Sequence, residues 1–140
     1  MTELNITIKT KCDFDAAHRL IGYEGACSRI HGHKWVVEVS VSGKRFQRNE
    51  IGILMDFKTI KSVIDKFDHK TILADDPSNF EIGVVLEDMF EGQVIWLESN
   101  PTAENLAMYF WKEFHKIDNR FKYHIKVWES PTSSAEIGDI

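Results

Sequence analysis

Two long stretches of alternating residues limit what this chain can fold into. From Ile6 to Phe14 the even positions are mainly apolar, whereas the odd positions hold Thr, Lys and Asp. A second stretch, HGHKWVVEVSVSG from His31, places Trp35 and the three following odd-numbered valines on one side. Because successive side chains of a strand point to opposite faces, both stretches are typical of half-buried strands. The turn-rich loop GYEGACSR between them predicts one long antiparallel hairpin.

The remaining patterns predict two helices and two more strands. MDFKTIKSVIDKFDHKTIL repeats its apolar residues every three or four positions, with Asp56 as N-cap and a helix end near Asp68 and His69. QVIWLE is typical of a strand, and SNPTAENLAMYFWKEFHKI of a second helix that opens with capping residues. YHIKVWES alternates again, with Glu129 on the apolar side. The predicted fold is therefore α+β, with two helices against an antiparallel sheet.

Composition narrows the class of protein. A chain of 140 residues, 43% apolar and 28% charged, is expected to form a single domain over residues 1–140. The net charge of −5 argues against a nucleic-acid surface, which needs clustered basic residues. Charged residues interrupt every apolar cluster well short of a membrane span, and the N-terminus has no apolar signal region. We therefore expect a cytoplasmic protein whose two cysteines stay reduced.

Three histidines fall at one end of the predicted hairpin. His31 and His33 are two residues apart on one strand, so they share a face, and His18 ends the neighbouring strand on the same side of the pattern. Three imidazoles around one point can bind a metal ion and leave a coordination position open, as catalytic zinc sites do. Histidines that merely satisfy hydrogen bonds at strand ends are the alternative, but the third histidine favours a metal, with zinc as the first choice.

The other reactive side chains leave alternatives open. Cys27 is either a fourth ligand that closes the metal site or a thiol just outside it that serves as a base or nucleophile. Asp68 and His69 are either a solvated helix end or an acid/base pair. Glu129, on the apolar side of its strand, either returns to water at the strand end or anchors the donors of a ligand.

Five segments resemble, in order, the motifs of the 6-pyruvoyl-tetrahydropterin synthase and 6-carboxy-tetrahydropterin synthase family. They are FDAAHRL, CSRIHGH, FDH, NPTAENLA and VWESPTSS, and the likeness runs from Phe14 to Ser134. The resemblance implies a tunnelling fold, in which each subunit contributes an antiparallel sheet with two helices to a barrel formed by oligomerisation. A homo-hexamer with active sites between subunits is expected.

The resemblance also implies roles for the singled-out residues. By matching motifs, His18, His31 and His33 hold zinc, and Cys27 is the catalytic group that abstracts a proton. Asp68 and His69 form a second catalytic acid/base pair, contributed by a neighbouring chain, and Glu129 binds the amino-pyrimidine edge of a pterin with Thr102 nearby.

The implied reaction is that of a zinc-dependent lyase on 7,8-dihydroneopterin triphosphate. The three residues between Cys27 and His31 resemble the branch that forms 6-carboxy-5,6,7,8-tetrahydropterin, with loss of triphosphate and acetaldehyde, in 7-deazaguanine and queuosine biosynthesis. Triphosphate elimination alone, as in a 6-pyruvoyl-tetrahydropterin synthase, is the nearest alternative. A non-catalytic, zinc-stabilised binding module in which Cys27 ligates the metal is the alternative from a different class.

Overall fold

The computed structural model describes residues 3–140 as one mixed sheet with helices. The strands are β1 (Asn5–His18), β2 (His31–Lys44), β3 (Lys70–Ala74), β4 (Val94–Leu97), β5 (Lys122–Ser130) and β6 (Ser133–Gly138). The α-helices are α1 (Phe57–Asp65), α2 (Phe80–Met89) and α3 (Ala103–Ile117). The predicted hairpin, both predicted helices and both later strands are all present.

The β1–β2 hairpin is the longest pairing in the sheet. It runs antiparallel from Asn5 opposite Lys44 to His18 opposite His31. β5 pairs with β2 and β6 pairs with β5, both antiparallel, which gives the order β4-β3-β1-β2-β5-β6. Four consecutive strands of the sheet, β1, β2, β5 and β6, are therefore antiparallel.

The segment between α1 and α3 contains elements that the sequence patterns did not predict. β3 pairs in parallel with the last residues of β1, and β4 pairs in parallel with β3. α2 connects β3 to β4, so residues 3–140 contain three α-helices rather than two. Parallel neighbours need a crossover connection, and α2 supplies it. The final strand, β6, was also not predicted from the sequence.

The core lies between one face of the sheet and the helices α1 and α3. The even positions of β1 and the odd positions of β2 and β5 face it, as the alternation predicts. Its largest fully buried side chains are aromatic and aliphatic: Trp35, Tyr123, Phe14, Phe67, Phe110, Phe114, Ile60, Ile64, Ile72, Leu73, Leu106 and Ile125. The opposite face of the central strands is polar and charged.

Helix α1 ends earlier than its sequence pattern predicts. Asp56 caps its start as expected, since the carboxylate accepts a hydrogen bond from the Lys58 amide at 2.8 Å. The helix ends at Asp65, however, and the Asp68 amide donates to the Asp65 carbonyl in a tighter turn. Asp68 and His69 therefore lie beyond the helix, where its dipole has little effect.

Among residues 3–140, no helix combines the length and apolar character that crossing a bilayer requires.

Replacing Phe14 by alanine is expected to destabilise the protein by about 3–5 kcal/mol, the usual cost of removing a buried phenylalanine ring. The side chain is 1% exposed, and its ring lies 6.1 Å from Trp35 and 5.7 Å from Phe67 between centroids. Urea unfolding measures the change. The matched control is Phe46→Ala, because Phe46 is 71% exposed and its loss should cost little. Equal losses in the two variants would contradict this placement of the core.

Candidate active site

Three histidine rings meet at the end of the β1–β2 hairpin. His18 lies opposite His31, and His33 lies opposite Ala16, so all three side chains project from the same face. The ring centroids are 4.6 Å apart for His18 and His31, 5.1 Å for His18 and His33, and 4.9 Å for His31 and His33. The predicted convergence of the three imidazoles is therefore present.

Main-chain carbonyls determine which nitrogen of two rings carries the proton. Nδ1 of His18 lies 2.7 Å from the Pro101 carbonyl oxygen, and Nδ1 of His31 lies 2.7 Å from that of Arg29. Because a carbonyl only accepts, each Nδ1 must donate, and the neutral ring then has a lone pair on Nε2. The two Nε2 atoms are 3.1 Å apart. Two facing lone pairs at that distance require a cation between them, either a proton or a metal ion.

Burial favours the neutral form of His18 and His33, which is the form that binds metals. His18 is 1% exposed, and burial is the main cause that lowers its pKa below the usual 6.5, although the Pro101 carbonyl acts in the opposite direction. Burial also lowers the pKa of His33, against the effect of the Glu129 carboxylate. Neutral imidazoles are the protonation state that metal ions bind. The donor set therefore fits a metal ion better than a shared proton.

Glu129 belongs to the same cluster. One donor atom from each of His18, His31, His33 and Glu129 lies within 4.8 Å of the others. Oε1 of Glu129 is 3.1 Å from Nε2 of His33, which is buried and has no partner in hydrogen-bond geometry. Ligands about 2.0 Å from a tetrahedral zinc are about 3.3 Å from one another, so the shortest separations here match a metal site. Of the two alternatives for Glu129, the structure places it inward.

Cys27 lies outside this cluster. It belongs to a short 3-10 turn, Ala26–Ser28, in the loop that joins β1 to β2, and its thiol is free. The Leu20 amide donates to the Cys27 carbonyl at 2.9 Å, which closes the base of that loop. Cys27 is not among the four clustered donors.

Asp68 and His69 form a pair on the edge of β1. Asp68 accepts a hydrogen bond from the Asp15 amide at 2.9 Å, and its other oxygen lies 2.9 Å from Nδ1 of His69. The His69 amide donates to the Asp15 carbonyl at 2.7 Å, and His69 has φ 61°, in the left-handed region. The His69 side chain is 80% exposed, so most of it lies in solvent.

Thr102 performs a structural task in this chain. Its hydroxyl accepts a hydrogen bond from the Asn105 amide at 3.1 Å and so caps α3, directly after the Pro101 carbonyl that holds His18. Sequence reasoning missed the carbonyls of Pro101 and Arg29. No residue type marks a main-chain carbonyl, so no sequence signal could have identified them.

Two open hollows adjoin the site. One, of about 530 Å³, is lined by Glu129, His33, Lys11, Lys34 and Trp128 among others. The other, of about 680 Å³, is lined by His69, His33, Lys34, Lys70 and Gln93 among others. His33 and Lys34 border both, so the two hollows lie on either side of the start of β2.

Comparison with known proteins decides the family. Residues 7–139 match the family model described as 6-pyruvoyl tetrahydropterin synthase. The chain belongs to that family. This confirms the resemblance drawn from the five motifs, which lie within the matched range.

Curated relatives carry the name of one branch. A 6-carboxy-5,6,7,8-tetrahydropterin synthase of Rickettsia bellii is 35% identical over 136 residues, covering 91% of this chain and 96% of the relative. A protein of the same name from Haemophilus influenzae is 28% identical, covering 92% and 96%.

Solved structures share the fold. An uncharacterised protein of Wolinella succinogenes has a TM-score of 0.75 at 19% identity, covering 98% of this chain and 99% of its own. The 6-pyruvoyl tetrahydropterin synthase of Caenorhabditis elegans has a TM-score of 0.66 at 19% identity, covering 100% of both chains. The predicted α+β tunnelling fold is thereby confirmed.

The Asp68 carboxyl is expected to titrate below its ordinary pKa of 3.8, because the Asp15 amide and then the His69 side chain stabilise its ionised form. Its ionised form therefore stabilises the fold above the unfolded pKa, and this contribution disappears as the pH falls through the lower folded pKa. Carboxyl-carbon NMR measures the midpoint. His69→Ala should raise it, whereas His115→Ala, a distant histidine near Asp139, should not. An unchanged midpoint in His69→Ala would contradict the pairing.

Proposed function

We propose that this protein is a zinc-dependent lyase that converts 7,8-dihydroneopterin triphosphate to 6-carboxy-5,6,7,8-tetrahydropterin, with loss of triphosphate and acetaldehyde. The observation that carries the proposal is the pair of unprotonated Nε2 atoms of His18 and His31, 3.1 Å apart beside His33 and Glu129. The 35% identity to a 6-carboxy-5,6,7,8-tetrahydropterin synthase over most of the chain supports this branch. The pathway proposed is 7-deazaguanine and queuosine biosynthesis.

His18, His31 and His33 would hold the zinc. Three neutral nitrogens would leave the ion its full double charge, and a bound zinc would polarise the side-chain oxygens of the pterin substrate. The carbonyls of Pro101 and Arg29 keep the Nε2 atoms of His18 and His31 free to act as ligands. These contacts explain how the chain presents a preformed site.

Glu129 would bind the pterin. The 2-amino-4-oxopyrimidine edge of a pterin offers neighbouring N–H donors, and a carboxylate accepts two such bonds side by side. Glu129 lines the hollow of about 530 Å³ beside His33, which leaves space for a ring next to the metal ligands. Lys11 and Lys34 line the same hollow, and they provide local positive charge for a triphosphate on a chain with a net charge of −5.

Cys27, Asp68 and His69 would move the protons. A thiolate at Cys27 takes a proton from the side-chain carbon next to the polarised oxygen. The Asp68 carboxylate orients the His69 ring, which exchanges a proton with a side-chain hydroxyl. The His69 side chain is 80% exposed, so it is accessible to a second subunit. This exposure supports an active site built between chains.

Open sheet edges support assembly into a ring. β3 pairs only with residues 16–18 of β1, so within residues 3–140 the outer edge of Asn5–Asp15 has no strand partner, and β6 is the other sheet edge. β1 and β6 run in opposite directions, so β6 of one copy can continue antiparallel pairing onto β1 of the next. Closure removes exposed edges, and the proposed assembly is a homo-hexamer. Two free thiols fit the proposed cytoplasmic location.

Metal content tests the site directly. The wild-type protein is expected to retain one zinc ion per chain after dialysis. His31→Ala is expected to lose the ion, because only two of the three histidine ligands remain. Elemental analysis of the purified proteins measures both. His115→Ala is the control, since His115 lies near Trp111 and Asp139 outside the cluster. Full zinc content in His31→Ala would refute the assignment.

Product analysis tests the reaction. Zinc-loaded protein incubated without oxygen with 7,8-dihydroneopterin triphosphate is expected to give 6-carboxy-5,6,7,8-tetrahydropterin and acetaldehyde, identified by mass. Cys27→Ser should keep zinc and oligomer yet lose about 10²–10⁴-fold in rate, the usual contribution of a positioned acid or base.

Three other results would overturn the proposal in different ways. A 6-pyruvoyl product would assign the chain to the other branch of its family. Loss of zinc and fold together in Cys27→Ser would make the thiol a structural ligand and the domain a binding module. Absence of turnover by the zinc-loaded protein would show that 7,8-dihydroneopterin triphosphate is not its substrate.

A further inference from the structure

The dipeptide Asn100–Pro101 contacts two parts of the proposed site. Asn100 and Pro101 precede helix α3, and both contact the end of the β1–β2 hairpin, about 80 residues earlier in the chain. The Pro101 carbonyl accepts from Nδ1 of His18. The Asn100 side chain contacts the loop between β1 and β2, which carries Cys27.

The Asn100 contact uses both ends of its amide group. Its Oδ1 accepts from the Ile21 amide at 2.9 Å, and its Nδ2 donates to the Ile21 carbonyl at 2.8 Å. The side chain therefore pairs with the backbone of Ile21 as a residue of a neighbouring strand would, because it binds both the amide and the carbonyl of Ile21. No other side chain of comparable size offers a donor and an acceptor side by side except glutamine, which is one methylene longer.

The contact extends through the loop to Cys27. Ile21 follows Leu20, whose amide donates to the Cys27 carbonyl at 2.9 Å. Arg19 adds a further hydrogen bond, from its Nε to the Ser28 carbonyl at 3.0 Å. Cys27 and Ser28 are therefore hydrogen-bonded to Leu20 and Arg19, the two residues that directly precede Ile21.

The dipeptide is itself held rigidly. Nδ2 of Asn105, one turn into α3, donates to the Asn100 carbonyl at 2.8 Å, and the Asn105 amide donates to the Thr102 hydroxyl. The N-terminus of α3 thus serves as a fixed support. A shift of this support would move the His18 ring and the Cys27 loop together.

We propose that Asn100 is a positioning residue that fixes the Cys27 loop relative to the metal ligand His18. The inference rests on the proposed function, since it assigns Asn100 a role in aligning the thiol with a metal-bound substrate. Side chains that orient a reacting group affect rate more than substrate affinity, because small displacements of that group raise the barrier.

The test compares Asn100→Ala with Asn49→Ala. The Asn49 side chain also makes two hydrogen bonds to the backbone, accepting both, from the Ile51 and Ile53 amides. It lies past the Lys44 end of β2, about 40 Å along the strand from His31. The measurements are amide hydrogen exchange of Ile21, the zinc dissociation constant by chelator competition, and kcat and KM with 7,8-dihydroneopterin triphosphate.

We expect Asn100→Ala to fold and assemble, to exchange the Ile21 amide at least tenfold faster, and to bind zinc up to tenfold more weakly. At saturating zinc its kcat should fall at least tenfold while KM changes less than threefold. Asn49→Ala should match the wild type in every measurement. Asn105→Ala, which removes one of the two hydrogen bonds to the Asn100 carbonyl and leaves the one from the Thr102 amide, should show the same changes at smaller size.

Two results would overturn the proposal. Wild-type kcat in folded, zinc-loaded Asn100→Ala would reduce the residue to a structural one, even if the thermal midpoint falls. An unchanged exchange rate of the Ile21 amide in Asn100→Ala would show that the Asn100 side chain does not hold Ile21. If Asn100→Ala does not fold, Asn105→Ala decides: a lower kcat with unchanged KM supports the proposal, and a wild-type kcat refutes it.

The exchange and zinc measurements need no substrate. If the wild type has no turnover, the proposed function fails, and faster Ile21 exchange with weaker zinc binding in Asn100→Ala would still show that the residue links the loop to His18. Wild-type behaviour in both would refute the link independently.

Discussion

The pairing register of β1 and β2 is the constraint on which the rest of this structure depends. Along 14 residues of each strand, one face supplies Phe14, Trp35 and the buried valines, and the same face ends in the histidines. A shift of one residue would turn the apolar set and His31 and His33 to the polar side. Burial of the core therefore selects the register that also brings the three histidines together.

The same hairpin carries the other parts of the candidate site. Asp15 of β1 uses both its amide and its carbonyl to bind the Asp68–His69 turn, and the loop after β1 contains Cys27. β5 lies on β2 and places Glu129 beside His33. The helices contribute from outside, through α3 and the two residues before its cap, which bind His18 and Ile21.

Particular elements show where sequence patterns are informative. Alternation in β1, β2 and β5 and the three-to-four periodicity of α1 and α3 are strong because each element has one buried side and one exposed side. β3 lacks this contrast, since four of its five residues are buried. α2 lacks it in another way, because exposed Val84, Val85 and Met89 remove the polar side of the pattern. β6 is short and contains small and polar residues, so its pairing with β5 decides its structure.

The sequence by itself determined the hairpin, the shared face of His18, His31 and His33, and the position of Glu129 on the apolar side of its strand, since all of these follow from the two-residue period of a strand. Only the tertiary structure decided that Glu129 approaches His33 within 3.1 Å, that Cys27 lies apart from the cluster, and that Pro101 and Asn100 hold His18 and the loop. These contacts join residues about 80 or more positions apart, or depend on main-chain carbonyls that every residue has. Local periodicity contains no information on either, because the pairing of β5 with β2 and the packing of α3 against the sheet create them.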